Sequence, residues 1–274
     1  MPYLENDNEK IYYEMTGEGE EIIVFLNGVM MSTESWVFQV PVFSRKYRIL
    51  LHDFRGQGRS SKPDYEYTFD MHADDIKSLL DELGIKKAHF VGTSYGAECG
   101  MVFAIKYPEY VKTLTVSAAV SESDFLLKEK IESWCIAARH AIKYGEKSDF
   151  MLLSAPYNFS SNFIEKHPGF FQEKAELVAQ FPDEWFVAFI RLCECFKTLN
   201  ITDHLSEITA PVLVIAAEHD VLKNVRYSAI MAHNFKNAES VIIMDAGHSL
   251  IYEKAAEFNS TLMGFIDKNS NYDS

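Results

Sequence analysis

The chain has 274 residues, 47% hydrophobic and 14% aromatic, enough to bury the core of one large domain or of a domain with an insertion. With 40 acidic residues against 26 Lys and Arg, the net charge is −14 and no basic stripe appears. That balance argues against nucleic acid as a partner and against anionic membranes or highly anionic substrates; its plain reading is a well-solvated surface.

Residues 1–21 are polar and acidic, without the apolar stretch of a secretory signal, so a cytoplasmic location is expected. Short apolar runs follow at 22–26, 49–51, 88–91, 114–116, 212–216 and 241–244. All are too short to span a membrane. Each is nearly continuous rather than alternating, as in strands covered on both faces, which predicts a mostly parallel sheet. Asp70 reads as the cap of a helix with Ile76, Leu79, Leu80 and Leu83 on one face, stopped by Gly84. A second helix, after residue 94, carries Ala97, Met101, Ala104 and Ile105 on one face and Val102 and Phe103 elsewhere, so it is expected to be buried nearly all round. Small Ala97 and Gly100 let it approach the sheet. This alternation predicts an α/β, doubly wound fold.

The alternation breaks across residues 121–200, where helical patterns replace strands. Ten of the 20 Phe lie there, with Trp134 and Trp185, which marks a segment with apolar packing of its own. Pro211 then opens another strand. The expected organisation is an α/β core in two parts, 1–120 and 205–274, with a helical insertion at 121–204. Cys99, Cys135, Cys193 and Cys195 have no zinc-ligand spacing, and Cys193 and Cys195 point in different directions on a helical pattern. All four read as reduced thiols in or near the core.

The most informative segment is Val91-Gly92-Thr93-Ser94-Tyr95-Gly96-Ala97. It reads G-x-S-x-G between an apolar run and a helical pattern, the signature of a sharp strand-to-helix turn. Glycines flank the serine because a Cβ on either side would crowd the turn. A serine held there is exposed, fixed and close to backbone N–H groups, as a nucleophile requires.

Two further strand ends complete a constellation. The run at 212–217 ends in Glu218-His219-Asp220, and the run at 241–244 is followed by Asp245-Ala246-Gly247-His248-Ser249. In a parallel sheet the carboxyl ends of strands share one edge, so Ser94, Asp220 and His248 can meet. Ser94 would attack, His248 would take and return the proton, and Asp220 would hold the imidazole and stabilise its cation. Activity is then expected to rise with pH as His248 loses its proton. Among nine histidines His219 is the nearest rival to His248, and Glu218 is the rival acid, with Glu122 more distant. The oxyanion hole is assigned to the backbone N–H groups of Tyr95, directly after the nucleophile, and Val29, in the loop Leu26-Asn27-Gly28-Val29-Met30.

With these sites in place the chain resembles the α/β-hydrolase superfamily, of the kind that bears a small helical cap. Asp53-Phe54-Arg55-Gly56-Gln57-Gly58-Arg59-Ser60 matches the family's D-x-R-G-x-G-x-S loop, and Gly247-His248 with Glu253 five residues on is also family-like. The resemblance covers nearly all of the chain outside the insertion and is poorly specific to substrate. One departure is Asn27-Gly28 where the family usually has His-Gly. Asn27 can donate and accept hydrogen bonds in the histidine's place. The loop also lacks the His-Gly-Gly-Pro-Gly run of proline iminopeptidases, and serine rather than aspartate at 94 counts against haloalkane dehalogenases and epoxide hydrolases.

The resemblance implies a serine hydrolase that cleaves an ester or thioester of a small, fairly apolar acid through an acyl-enzyme, under a cap that excludes water. Met30 and Tyr95, with Met31 and cap aromatics, are candidates to line the acyl pocket. No Arg or Lys stands out for a substrate carboxylate or phosphate. A small-molecule substrate and no metal or organic cofactor are expected; oligomeric state is not indicated. Cofactor-free haloperoxidases or perhydrolases, carbon–carbon hydrolases and lactonases use related triads, and a ligand-binding module with incidental turnover is the alternative of another class.

Overall fold

The apolar runs form the middle of an eight-stranded sheet in the computed structural model, which describes residues 2–6 and 8–270. The strands are β1 (Tyr3–Asn6), β2 (Glu9–Thr16), β3 (Ile22–Leu26), β4 (Arg48–His52), β5 (Ala88–Thr93), β6 (Val111–Ser117), β7 (Val212–Ala217) and β8 (Ala238–Ile243), in the order β1-β2-β4-β3-β5-β6-β7-β8. β3 to β8 pair in parallel, while β1–β2 and β2–β4 are antiparallel. Successive residues of β3 pack on opposite faces: Val24 and Leu26 into one core, Ile23 and Phe25 into the other. Two covered faces explain the unbroken apolar runs.

Helices α1 (Val40–Phe43), α2 (Phe69–Glu82), α3 (Tyr95–Lys106), α4 (Phe125–Tyr144), α5 (Lys147–Ser154), α6 (Ser161–Lys166), α7 (Phe170–Val178), α8 (Asp183–Lys197), α9 (Val225–Asn234), α10 (Leu250–Glu253) and α11 (Ala255–Ser270) connect and cover the strands. The α/β, doubly wound, mostly parallel architecture expected from the sequence is the one observed. Five of the helices, α4 to α8, stand between β6 and β7. The chain enters and leaves them side by side: Ser123 N–H donates to Leu199 C=O at 3.0 Å and Ile201 N–H to Ser121 C=O at 2.9 Å, around a bridge between Glu122 and Asn200. No described helix is long and apolar enough to cross a membrane.

Three expectations need correction. β1 and β2 lie in the segment read only as polar; Leu4, Ile11 and Tyr12 are buried, but exposed residues between them hide the pattern. β8 begins three residues before the apolar run and forms an edge of the sheet. Val241 and Ile242 are therefore exposed rather than covered on both faces. The cap of α2 is Thr68, whose hydroxyl accepts from Met71 N–H at 3.1 Å, and Asp70 lies in the first turn instead. Gly84 does follow the helix end with a left-handed φ of +66°, the conformation a terminating glycine supplies. All four cysteines are free and buried.

The parallel register aligns the strand ends that matter. Leu26 pairs with Gly92, Thr93 with Ser117, and Ala217 with Ile243, so the loops after β3, β5, β7 and β8 share one edge. From β3 the chain passes to β4 on one side and then to β5 on the other. The crevice at that reversal, between the ends of β3 and β5, is where open α/β sheets bind ligands.

Candidate active site

Ser94 occupies the turn between β5 and α3 with φ 52° and ψ −125°, a backbone conformation rare for a residue with a side chain. The neighbouring glycines make it attainable. A Cβ on Gly92 would stand 2.5 Å from Ala97 Cα, and one on Gly96 would stand 2.1 Å from the Leu26 carbonyl oxygen. The turn thus brings the start of α3 against the end of β3 and leaves Ser94 partly exposed.

Ser94 Oγ is 3.0 Å from His248 Nε2, and His248 Nδ1 is 2.7 Å from Asp220 Oδ2. A carboxylate only accepts, so Nδ1 carries the proton and Nε2 is left to accept from the serine hydroxyl. Asp220 Oδ1 accepts from Leu222 and Lys223 N–H at 2.9 and 2.7 Å, which locks its orientation. Burial pushes the Asp220 carboxyl up, but the adjoining His248 and these hydrogen bonds hold it below the usual range. The three residues singled out for a catalytic relay are therefore brought together. The rivals are not: Glu218 is exposed and accepts from Asp245 N–H at 3.0 Å, His219 is exposed beside it, and Glu122 lies at the base of the inserted helices. Glu218, His219 and Asp245 are also the cluster among the described residues whose ligand atoms could hold a metal ion; all three are exposed and none belongs to the relay.

The loop after β3 comes up against the serine: a Cβ on Gly28 would stand 3.5 Å from Ser94 Cβ. Gln57 donates from Nε2 to the carbonyls of Gly28 at 2.8 Å and Val29 at 3.3 Å. In a trans peptide the N–H opposes the C=O, so the grip on Gly28 turns the Val29 N–H away from Gln57. Tyr95 N–H opens α3, where no helical carbonyl precedes it. Asn27 is fully buried and braces this loop. It donates to His52 C=O at 2.9 Å and Asp53 Oδ1 at 3.3 Å, and accepts from Trp36 Nε1 at 2.8 Å. Asn27→Ala should lower stability by about 2 kcal/mol, because it orphans the buried Trp36 N–H. Urea unfolding measures this, and a loss under about 0.5 kcal/mol, the level of an ordinary surface change, would discount the brace.

The D-x-R-G-x-G-x-S loop is structural at most positions. Asp53 accepts from Thr33 and Arg59 N–H at 2.7 and 2.8 Å, Arg55 forms a buried two-pronged pair with Asp75, and Arg59 reaches Tyr12, Glu14 and Glu34. Two of its residues meet the site loop: Asp53 accepts from Asn27, and Gln57 grips the Gly28 and Val29 carbonyls. Glu253 accepts from Gly247 N–H at 3.1 Å and from Ser160 N–H, and Ser249 N–H donates to Asn158 C=O at 2.7 Å. The histidine loop is thereby tied to the inserted helices. Met30 remains partly exposed, but the Tyr95 ring does not line a pocket wall. It is 1% exposed, stacked on Phe69 and edge-on to Phe54 and His72, so what Tyr95 can offer a substrate is its backbone N–H.

Sequence reasoning also missed a cation. Lys223 Nζ lies 3.1 Å from Ser94 Oγ and 2.7 Å from Glu98 Oε1. The sequence singles out no Lys or Arg for a substrate carboxylate or phosphate, and Lys223, already paired with Glu98, does not contradict that reading. The available signal was Glu98 itself, a carboxylate in a helix read as buried nearly all round, which must find a partner.

Residues 21–255 match the family described as the alpha/beta hydrolase fold. A protein named as a carbamate hydrolase, RutD, from Azorhizobium caulinodans is 25% identical over 97% of this chain and 98% of its own length. The 3-oxoadipate enol-lactonase 2 of Acinetobacter baylyi is 26% identical over 86% of this chain and 85% of its own. MGS-M2, an alpha/beta hydrolase enzyme from a Medee basin deep-sea metagenome library, superposes with a TM-score of 0.92 and 32% identity, covering 97% of both chains. Kinship over this much of the sequence agrees with the strand order and the serine turn: the chain belongs to the alpha/beta hydrolase fold family and is a hydrolase of that fold.

Proposed function

We propose that the protein is a serine hydrolase that cleaves a carboxylic ester or thioester through an acyl-enzyme on Ser94. The observation that carries this reading is the hydrogen-bonded chain from Ser94 Oγ through His248 to Asp220, 3.0 and 2.7 Å long, at the carboxyl edge of the sheet. Ser94 Oγ attacks the acyl carbon while its proton passes to His248 Nε2, and Asp220 stabilises the imidazolium. The N–H groups of Val29 and Tyr95 receive the developing oxyanion. Collapse expels the alcohol or thiol with the proton from His248. Water, deprotonated by the same nitrogen, then releases the acid. Helices α4 to α8, pinned at Glu253 and Asn158 to the histidine loop, serve as a cap that keeps bulk water from this chemistry. The names of the relatives widen the candidate leaving groups, since a carbamate or an enol lactone presents the same kind of acyl carbon.

Intact mass after exposure to a fluorophosphonate tests the reading. A single adduct on Ser94, absent in Ser94→Ala, is expected. A folded wild type that stays unmodified would remove the activated serine and the reading with it.

A further inference from the structure

Glu98 and Lys223 form an ion pair of 2.7 Å with side chains 0% and 3% exposed. Glu98 Oε1 also accepts from Val120 N–H at 3.1 Å, and Lys223 Nζ lies 4.6 Å over the Phe196 ring of α8. Burial pushes the Glu98 carboxyl up, against the pull of the ammonium. Such a pair is weak support for a fold, because desolvation of two charges offsets their attraction and apolar side chains of equal volume often serve as well. This pair has a third member. Lys223 donates to the same Ser94 oxygen that hydrogen-bonds His248. Two charges are thus kept in the interior against the oxygen that the proposed reaction uses.

Resting on the serine-hydrolase reading, we infer that Lys223 determines specificity, selecting acyl groups with an oxygen on the carbon next to the scissile carbonyl: esters of 2-oxo and 2-hydroxy acids. Acylation converts the Ser94 hydroxyl into an ester oxygen, a weaker acceptor. Lys223 stays buried and tied to Glu98, and a buried ammonium donor without a good acceptor is costly. The acyl carbonyl oxygen is committed to the Val29 and Tyr95 donors. An oxygen on the adjacent carbon can turn to the opposite side, toward Ser94 Oγ, where one ammonium reaches both oxygens. A purely apolar acyl chain offers nothing at that point. Glu98 already balances the charge, so the selection is for a hydrogen-bond acceptor rather than for an anion. The hydroxyl of a 2-hydroxy acid and the carbonyl of a 2-oxo acid both offer the ammonium a lone pair, so both classes are included. No bond to Lys223 forms or breaks. The inference replaces the expectation of an apolar acid with one that is small and oxygenated next to its carboxyl carbon.

The test compares methyl 2-oxobutanoate, methyl 2-hydroxybutanoate and methyl butanoate as substrates of the wild type, Lys223→Met and Lys223→Met/Glu98→Gln. Each kcat/KM is divided by the hydroxide rate constant of the same ester, which removes intrinsic reactivity. The wild type should favour the oxygenated esters by about tenfold or more after that correction. The double variant, which leaves no unpaired buried carboxylate, should lose at least about tenfold more on them than on methyl butanoate, whatever the common loss from removing a donor to Ser94. Equal losses on all three esters would overturn the inference, since Lys223 would then act on Ser94 whatever the acyl group. A wild type labelled at Ser94 but without a corrected preference overturns the inference alone. A wild type that takes no fluorophosphonate and turns over no ester overturns the serine-hydrolase reading and the inference with it. If the variants do not fold, the wild-type preference decides by itself.

Discussion

Asp220→Asn should lower kcat on an activated ester by about 10⁴-fold while the protein stays folded, the scale on which loss of the carboxylate disables such a relay. The carboxylate can only accept, and it fixes the proton on His248 Nδ1 across 2.7 Å. An amide in its place can donate to Nδ1 instead. The proton then moves to Nε2, the nitrogen that must be bare to receive the hydrogen of Ser94 Oγ. Ser94→Ala and His248→Ala should each cost at least as much, and the double variant should cost no more than either alone, because the groups act as one unit. Stopped assays at saturating ester, with circular dichroism to verify folding, make the comparison. Independent, multiplying losses would mean that the three residues do not form one relay.

The same carboxylate links activity to stability. Its folded-state ionisation is depressed, so its contribution to stability is present above the ordinary carboxylate range and is lost as the pH falls through the depressed value. At neutral pH it is ionised. A change of activity near neutral pH therefore would not report Asp220.

How far the sequence could be read follows from how local each signal is. The serine turn needs two glycines at fixed offsets, and these are adjacent in the chain, so the motif was visible directly. Asp220 and His248 were visible through the sheet, because apolar runs mark where strands end and parallel strands end together. Glu218 and Asp220 sit on one turn, and only the observed geometry separates them: one is exposed and the other is buried against the imidazole. The Lys223–Glu98 pair joins residues 125 positions apart, and no local pattern records such a pairing. Edge strands failed for a related reason. β1 and β8 are the edges of the sheet, and β2 beside β1 has half-buried or exposed residues on either side of Ile11 and Tyr12, so these sequences lack the continuous apolar run that betrays β3, β5 or β7. The structural role of Asn27 was foreseen from its chemistry, since a side chain with both a donor and an acceptor can span two walls of a loop. Gln57, which grips the same loop from the neighbouring one, was hidden inside a motif most of whose residues hold the loop itself.

Gly96→Ala should be among the most damaging single-methyl changes in the chain. The added Cβ would stand 2.1 Å from the Leu26 carbonyl oxygen and 2.3 Å from its carbon. Both are backbone atoms of β3, whose next residues carry Asn27 and Gly28, so relief requires α3 and the site loop to part. Overpacking of that kind should cost about 3 kcal/mol of stability. The same displacement moves the Tyr95 N–H relative to Val29, and an ångström of misplacement at a reacting centre lowers kcat/KM by about 100-fold. Gly145→Ala is the control. Gly145 closes α4 with φ +77° and has open space where a Cβ would go, so alanine meets strain but no clash and should cost about 1 kcal/mol. Urea unfolding and ester kinetics on both variants separate the two effects. If Gly96→Ala proved no worse than Gly145→Ala in either measurement, the close contact between the serine turn and the β3 loop would not be what holds Ser94 in place.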